Sequence, residues 1–428
     1  MAIDYARLRL LWPDHLGLAR GKYLTPEKVT DGTAHCISLF TQGYDGNMTP
    51  HEGGMMLKGL PDCDARIDVE AIRPGWEPGT AVVIPDIVRG GRPVALAPRN
   101  ALLEAVEKWQ AKGLEPMVGI ELEAYLFEPD GDGGWRPIRT PGAYTYGTGT
   151  SVDPTGTIDA IMSTADEVGI PMESVNSEYD KSQFELTLRY KTALEACDDA
   201  FLFKVMAKEI ATRNGMHLTF MGKPINGRGG SGLHVNLSFT DEDGDNALSD
   251  PEAHDGLSEL ARSAIAGMLH HHVGLTALVA PTVNAYKRLQ PGLLAGYWAN
   301  WGYDHRGVTV RVPPARKQGT RLEHRLGDGS VTPHQAVAAV LSASLLGYEK
   351  GYDLDPAETL DSLDNASTDV VCPASLDEAL DALEADTDLV EAFGPAYLDG
   401  FITVKRAEWD RYVKWTTDWE LNEYLPFL

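Results

Sequence analysis

Glutamate recurs in this chain inside short segments that alternate apolar and polar residues. Carboxylates placed in that way commonly hold a divalent ion. Glu121 and Glu123 stand two apart within residues 118–127, Glu185 lies within 183–189, and Glu323 lies within 321–326. Glu178 precedes the turn-like run Tyr179-Asp180-Lys181-Ser182, and His234, Asn236 and Ser238 alternate through 233–239. Alternate side chains of a strand point to opposite faces, so these segments predict strands with one apolar and one polar face. Residues two apart share a face at roughly 7 Å, which lets Glu121 and Glu123 serve different ions of a neighbouring pair. Five carboxylates and one imidazole form a hard, oxygen-rich donor set that suits Mg²⁺ or Mn²⁺ better than structural zinc. The plainer alternative is a pair of solvent-facing glutamates on an edge strand and a packed histidine.

Arginines say what such ions would be for. Arg288, Arg306, Arg311, Arg321 and Arg325 follow in one stretch, and Arg311, Arg321 and Arg325 fall on predicted inward faces, of the segments 308–312 and 321–326. Guanidinium forks match carboxylate and phosphate oxygens. Metal-holding carboxylates beside such arginines are the parts of a phosphoryl-transfer site, unless the arginines merely pair with the abundant acids. The run 226–232 contains G-x-G-x-x-G, but a strand follows it rather than a helix, so it is not read as a dinucleotide fingerprint. Its glycines instead allow the backbone to approach a small substrate. His270, His271 and His272 are consecutive on a predicted helix and cannot converge on one ion, so they are read as structural.

The elements that must position these residues are legible in outline. The turn at 75–80 precedes a strand at 81–85, and residues 1–96 read as a small β-rich domain. A boundary near 92–99 leads into a helix carrying Leu102, Leu103, Val106 and Trp109, with Gly113 expected near its C-cap. Further helices are predicted over 192–214, 256–278, part of 327–346, and 375–384 within an acidic surface excursion at 361–386. Strands with one polar face favour an antiparallel sheet covered by helices on the other, hence an α+β fold with a catalytic domain over 97–428. The net charge of −26 argues against a nucleic-acid or anionic-lipid partner. Four widely spaced cysteines predict reduced thiols, and residues 1–15 carry no signal-peptide pattern, so a cytoplasmic location is expected. No run approaches the ~20 apolar residues of a membrane span.

Jointly, these strings resemble the glutamine synthetase family in its shorter, type-I-like branch. The matching residues are Gly119 to Glu123, Glu178 to Glu185, Lys223-Pro224 with Gly230 to Ser238, Asn284 to Leu289, Asp304 to Arg306, and Arg321 to Arg325. The resemblance implies an N-terminal β-grasp domain and a catalytic domain with a curved antiparallel sheet. It also implies a double ring, usually of twelve subunits, with active sites shared between neighbours. One ion would be held by Glu123, Glu178 and Glu185, the other by Glu121, His234 and Glu323. Arg306, Arg311 and Arg321 would meet the phosphates of ATP, with Tyr190, Asn236 and Ser238 near the nucleotide. Arg288, Arg325, Gly229, Gly230 and His234 would surround glutamate. The implied chemistry converts glutamate to γ-glutamyl phosphate, which an amine then attacks, with Asp45 of a neighbouring subunit taking the amine's proton.

Three departures bear on the acceptor. The family's ammonium-pocket glutamate falls six residues after the arginine matching Arg288, where this chain has Leu294. Its loop asparagine is Gly229 here, and a nucleotide-side histidine is Asn236. Leu294 cannot bind ammonium or accept its proton, and with Ala295, Gly296, Tyr297 and Trp298 it suits an organic amine of hydrocarbon or aromatic character. The expected activity is therefore a γ-glutamyl–amine ligase. The alternatives are glutamine synthetase proper and a non-catalytic relative, and the latter would be expected to have lost metal ligands. Tyr352 occupies the place where some relatives are adenylylated.

Overall fold

A computed structural model describes residues 5–428. The expectations about residues 1–15 and 1–96 fall in part on residues 1–4, which lie outside the described residues. The period-two segments pair in one ten-stranded sheet. Its path runs Met172–Ser177, Gln183–Leu188, Glu115–Pro129, Leu233–Thr240, Leu322–His324, Val310–Val312 and Trp301–Tyr303. Every pairing along it is antiparallel except the last. The fold is α+β. Glu115–Pro129 is the central strand, and Leu122, Ala124 and Leu126 on its apolar face are fully buried.

Helices cover that face. Pro98–Gln110 begins with proline at its first turn and buries Ala101, Leu102, Ala105, Val106 and Trp109. It ends at Ala111 rather than at Gly113, whose φ of +76° closes the turn two residues on. Ala193–Arg213 matches the expected helix. The helix expected over 256–278 is two, Glu259–His270 and His272–Val279, because His271 at φ −94° and ψ 8° interrupts it. Pro333–Lys350 is buried from Pro333 to Gly347 and crosses Glu259–His270 at a glycine contact. A Cβ on Gly267 would lie 2.1 Å from the Ala343 carbonyl, and one on Gly347 would lie 2.0 Å from that of Ser263. The helix Leu376–Ala385 starts at its Ser375 cap, one residue into the range expected.

Residues 7–93 form two four-stranded sheets with only 3-10 turns between the strands. In the first, Arg7–Pro13 pairs in parallel with Thr80–Val83. This sheet meets the Ala193–Arg213 helix through Arg9, whose guanidinium donates to Glu209 at 2.7 and 2.9 Å. Asn100, buried at the junction with the following helix, donates to the carbonyls of Ile87 and Val94. The four cysteines are free thiols. Among the described residues no helix is long and apolar enough to cross a membrane.

Trp109 joins the helical layer to the sheet. It is fully buried, donates its indole N–H to the Leu341 carbonyl at 3.1 Å, and packs with its ring centroid 4.3 Å from that of Phe239, the two planes tilted by 40°. Trp109→Ala should cost about 3–5 kcal/mol through the cavity it leaves. Thermal melting measures this, and a midpoint equal to wild type would contradict the packing role.

Candidate active site

Strand register builds the site. Glu185 stands opposite Glu123, Glu121 opposite His234, Asn236 opposite Glu323, and Glu323 opposite Arg311. The polar face therefore carries a continuous row of acids, imidazole and guanidinium across five strands. Cross-strand neighbours on one face lie within side-chain reach. His234 Nδ1 lies 3.1 Å from Glu121 and 3.7 Å from Glu323, and its Nε2 lies 3.9 Å from Glu123. Two triads bring one ligand atom each to within 4.8 Å of the others: Glu121, His234 and Glu323, and Glu123, Glu185 and His234. The first is the expected set. In the second, His234 stands where Glu178 was expected, since Glu178 Oε2 accepts from the Tyr179 amide at 2.8 Å. Burial, and then the charge of Glu123, raise the Glu178 carboxyl above its ordinary value.

The electrostatics fit a cation. Burial, and then the Glu121 charge, push the Glu185 carboxyl up to about 7. Burial would also raise Glu121, but its hydrogen bonds to His234 and Asn236 win and its pKa falls. Burial and Arg325 oppose the charged form of His234, yet Glu121 and Glu123 raise its pKa overall. Such crowding of acids about one imidazole is what a bound divalent cation relieves, and oxygen-rich donors of this kind suit Mg²⁺ or Mn²⁺.

The arginines are already engaged. Glu323 is clamped between Arg311, at 2.6 Å, and Arg325. Arg311 also pairs with Asp304. Arg321 Nε donates to Asn236 Oδ1 at 3.1 Å, and Asn236 donates to Glu121 at 2.9 Å, so Asn236 links Arg321 to the acid row. Arg306 is exposed, with its carbonyl accepting from Arg325. Arg288 is buried and donates to the carbonyls of Leu326 and Arg325. It underlies the glycine loop: a Cβ on Gly230 would lie 2.7 Å from Arg288 Cγ and 2.6 Å from the Gly222 carbonyl, so only glycine fits there. Tyr190 is exposed beside Gly119, and Ser238 follows Asn236 on the same face.

Of the run expected to form the acceptor pocket, Leu294 is 52% exposed and its carbonyl faces Arg325 at 3.5 Å. Tyr297 packs against the core, and Trp298 is bridged to Val371, so the structure does not join these aromatics to Leu294. Asp45 pairs on the surface with Arg411 at 3.2 Å and with Asn47 rather than with the acid row of its own chain. Sequence reasoning passed over Tyr125 and Asp180. Asp180 accepts from the Gly229 amide, and the Tyr125 hydroxyl lies 3.1 Å from Asp180 and 3.0 Å from the Gly229 carbonyl. Tyr125 falls two residues beyond Glu123 on the same face, a signal that the alternation already contained.

An acid row on one sheet face, guanidinium groups beside it and a glycine loop at its edge define a site of the class that gathers divalent ions and phosphate or carboxylate anions. Residues 95–424 match the family described as glutamine synthetase, catalytic domain. A glutamine synthetase of Pyrococcus abyssi is 32% identical over 97% of this chain and 96% of its own length. A gamma-glutamylethanolamide synthetase of Streptomyces coelicolor is 34% identical over 98% of this chain and 92% of its own. The solved structure of GmaS with ADP superimposes with a TM-score of 0.86 at 29% identity, covering 99% of this chain and 97% of that one. The chain belongs to the glutamine synthetase family and is an ATP-dependent carbon–nitrogen ligase; enzymes of this family use ATP and divalent metals.

Metal binding should release protons. Burial holds the Glu185 carboxyl up at about 7 in the folded chain, above its ordinary 4.5, so the metal-free protein loses stability from this group as pH rises through that window. Mg²⁺ requires ionised Glu185 and neutral His234, so its binding near pH 6.5 should expel on the order of one proton. Calorimetry in two buffers of different ionisation heat reads this directly. Equal heats in both buffers would contradict it, and Glu185→Gln should reduce the difference.

Proposed function

We propose that this chain is a γ-glutamyl–amine ligase, joining the γ-carboxylate of glutamate to an organic amine at the expense of ATP. Leu294 carries this reading. It presents an exposed hydrocarbon side chain where a glutamine synthetase holds the glutamate of its ammonium pocket, and its backbone touches Arg325, which in turn grips Glu323. A carboxylate at that place favours a small cation, whereas an isobutyl group favours an amine with a carbon body. The names of the Streptomyces relative and of the GmaS structures support the same direction. The names of the archaeal relatives favour a second reading, in which ammonia is the acceptor.

In this reading the γ-carboxylate attacks the γ-phosphorus of ATP, ADP departs, the amine nitrogen attacks the acyl carbon, and phosphate leaves as the nitrogen loses a proton. Glu121, His234 and Glu323 would hold one divalent ion, and Glu123, Glu178 and Glu185 the other. Ions bound there supply positive charge against the phosphoryl oxygens. Arg306, Arg311 and Arg321 bind and orient the phosphates, with Tyr190, Asn236 and Ser238 on the nucleotide side. Gly229, Gly230, Arg288 and Arg325 shape the glutamate site. Residues 1–96 and 97–428 act as N-terminal and catalytic domains of a double ring of twelve subunits, in which Asp45 from a neighbour takes the amine's proton.

An amine panel with glutamate and ATP, read by mass spectrometry of the amide, tests the reading. An alkyl or aryl amine should exceed ammonia in kcat/KM. Ammonia as the best acceptor would overturn the proposal and leave glutamine synthetase in its place. Leu294→Glu should move the preference toward ammonia by tenfold or more. Glu323→Ala should abolish γ-glutamyl phosphate formation while leaving the assembly intact, as judged by light scattering. Undiminished formation of that intermediate would refute the ligand assignment.

A further inference from the structure

Beyond the acid row lies a separate cavity of about 440 Å³, and none of its lining residues belongs to that row. Lys223, Tyr286, Lys287, Leu376, Trp409 and Tyr412 form its walls. Its size is that of a small-molecule site, and its lining mixes the aromatic and aliphatic side chains with Asn226, Gln290 and Ser375. Trp409 and Tyr412 lie 5.6 Å apart, and the Lys287 ammonium sits 5.9 Å from the Tyr412 ring. The Tyr286 hydroxyl is buried with no hydrogen-bond partner.

Charge makes the cavity unusual. The chain carries 63 acidic and 37 basic residues, yet among the described residues neither Lys223 nor Lys287 has a carboxylate at ion-pair distance. Glu378 and Glu408 reach the wall itself, accepting from the Ala374 amide at 2.9 Å and the Val283 amide at 3.4 Å, but the acids of the neighbouring helices are otherwise engaged. Glu408 is held by Lys405, and Asp377, Asp381 and Glu384 converge on Arg406. Two ammonium groups over an aromatic and aliphatic wall match an anion with an apolar body.

The cavity is wired to the glycine loop. Lys223 donates its ammonium to the Arg228 carbonyl and exchanges two backbone hydrogen bonds with the Asn284 side chain, at 2.7 and 3.0 Å. The Ser231 amide donates to Gly222 at 2.7 Å. An anion that draws the Lys223 ammonium toward itself removes the tether on Arg228, one residue before Gly229. We propose that this cavity is a second ligand site, for a small carboxylate with an aromatic or branched apolar body, and that its occupancy alters glutamate binding through Lys223.

Phenylacetate is the probe, titrated calorimetrically into the intact protein, with phenylacetamide, glutamate and inorganic phosphate as comparison ligands. Phenylacetate should bind at least tenfold more tightly than its neutral amide, and more tightly than phosphate, which lacks the apolar body. Lys287→Glu, an exposed position that leaves the basal ligase rate unchanged, should weaken phenylacetate at least tenfold, and Trp409→Ala should weaken it as well. Saturating phenylacetate should shift the KM for glutamate at least twofold in wild type but not in Lys287→Glu. Equal binding of acid and amide, or unaltered binding to Lys287→Glu, would each overturn the site. Binding without any shift in KM would overturn the coupling. Because binding is read directly, this outcome is separable from the identity of the amine acceptor.

Discussion

Gathering five carboxylates around one imidazole on a half-buried sheet is unfavourable in itself, and the surrounding structure is organised to sustain it. Two like charges about 4 Å apart in a partly screened site repel by about 4 kcal/mol. The protein meets this in several ways at once. Glu121 is drawn into hydrogen bonds with His234 and Asn236, Glu123 accepts the Gly232 amide at 2.7 Å, and Glu323 is closed between two arginines. Glu185 has least relief, and its carboxyl retains a proton to near neutrality. That graded arrangement is what gives the site its affinity for cations.

Sustaining it requires a rigid platform. The opposite face of the central strand is apolar and buried, and helices anchored by Trp109 and by the Gly267–Gly347 crossing pack against it. A slip of one residue in register would turn every acid into the core and every leucine outward. Because charged groups cannot be buried there without partners, register and site are specified by the same pattern. Catalytic geometry is therefore a by-product of how the sheet folds.

That coupling explains what could be read from the sequence. The alternation of Glu121, Leu122 and Glu123, repeated around Glu185, His234 and Glu323, is a local signal, and the sheet brings Glu121, His234 and Glu323 together while Glu178 stays outside both triads. The helix Ala193–Arg213 was visible for the same reason, as an apolar stripe at helical spacing. Features set by tertiary packing were not legible. The interruption at His271 depends on contacts with Asp386 and Tyr352, both distant in the chain. Glu178 turns onto its own loop, and Tyr297 packs toward the core rather than beside Leu294, because neighbouring elements decide those rotamers. The Lys223 and Lys287 cavity is assembled from four separated stretches and leaves no periodic trace.

The closed triad of Arg311, Glu323 and Arg325 has a bearing on discrimination among anions. A bare phosphate approaching Arg311 must compete with an internal partner that is already in place. A polyphosphate chelated to a magnesium ion faces no such competition, since its own cation can engage the displaced carboxylate as the guanidinium turns outward. On the proposed reading, in which Arg311 meets phosphate and Glu323 an ion, these two ion pairs would favour the chelate over the naked anion, independently of the shape of the cleft.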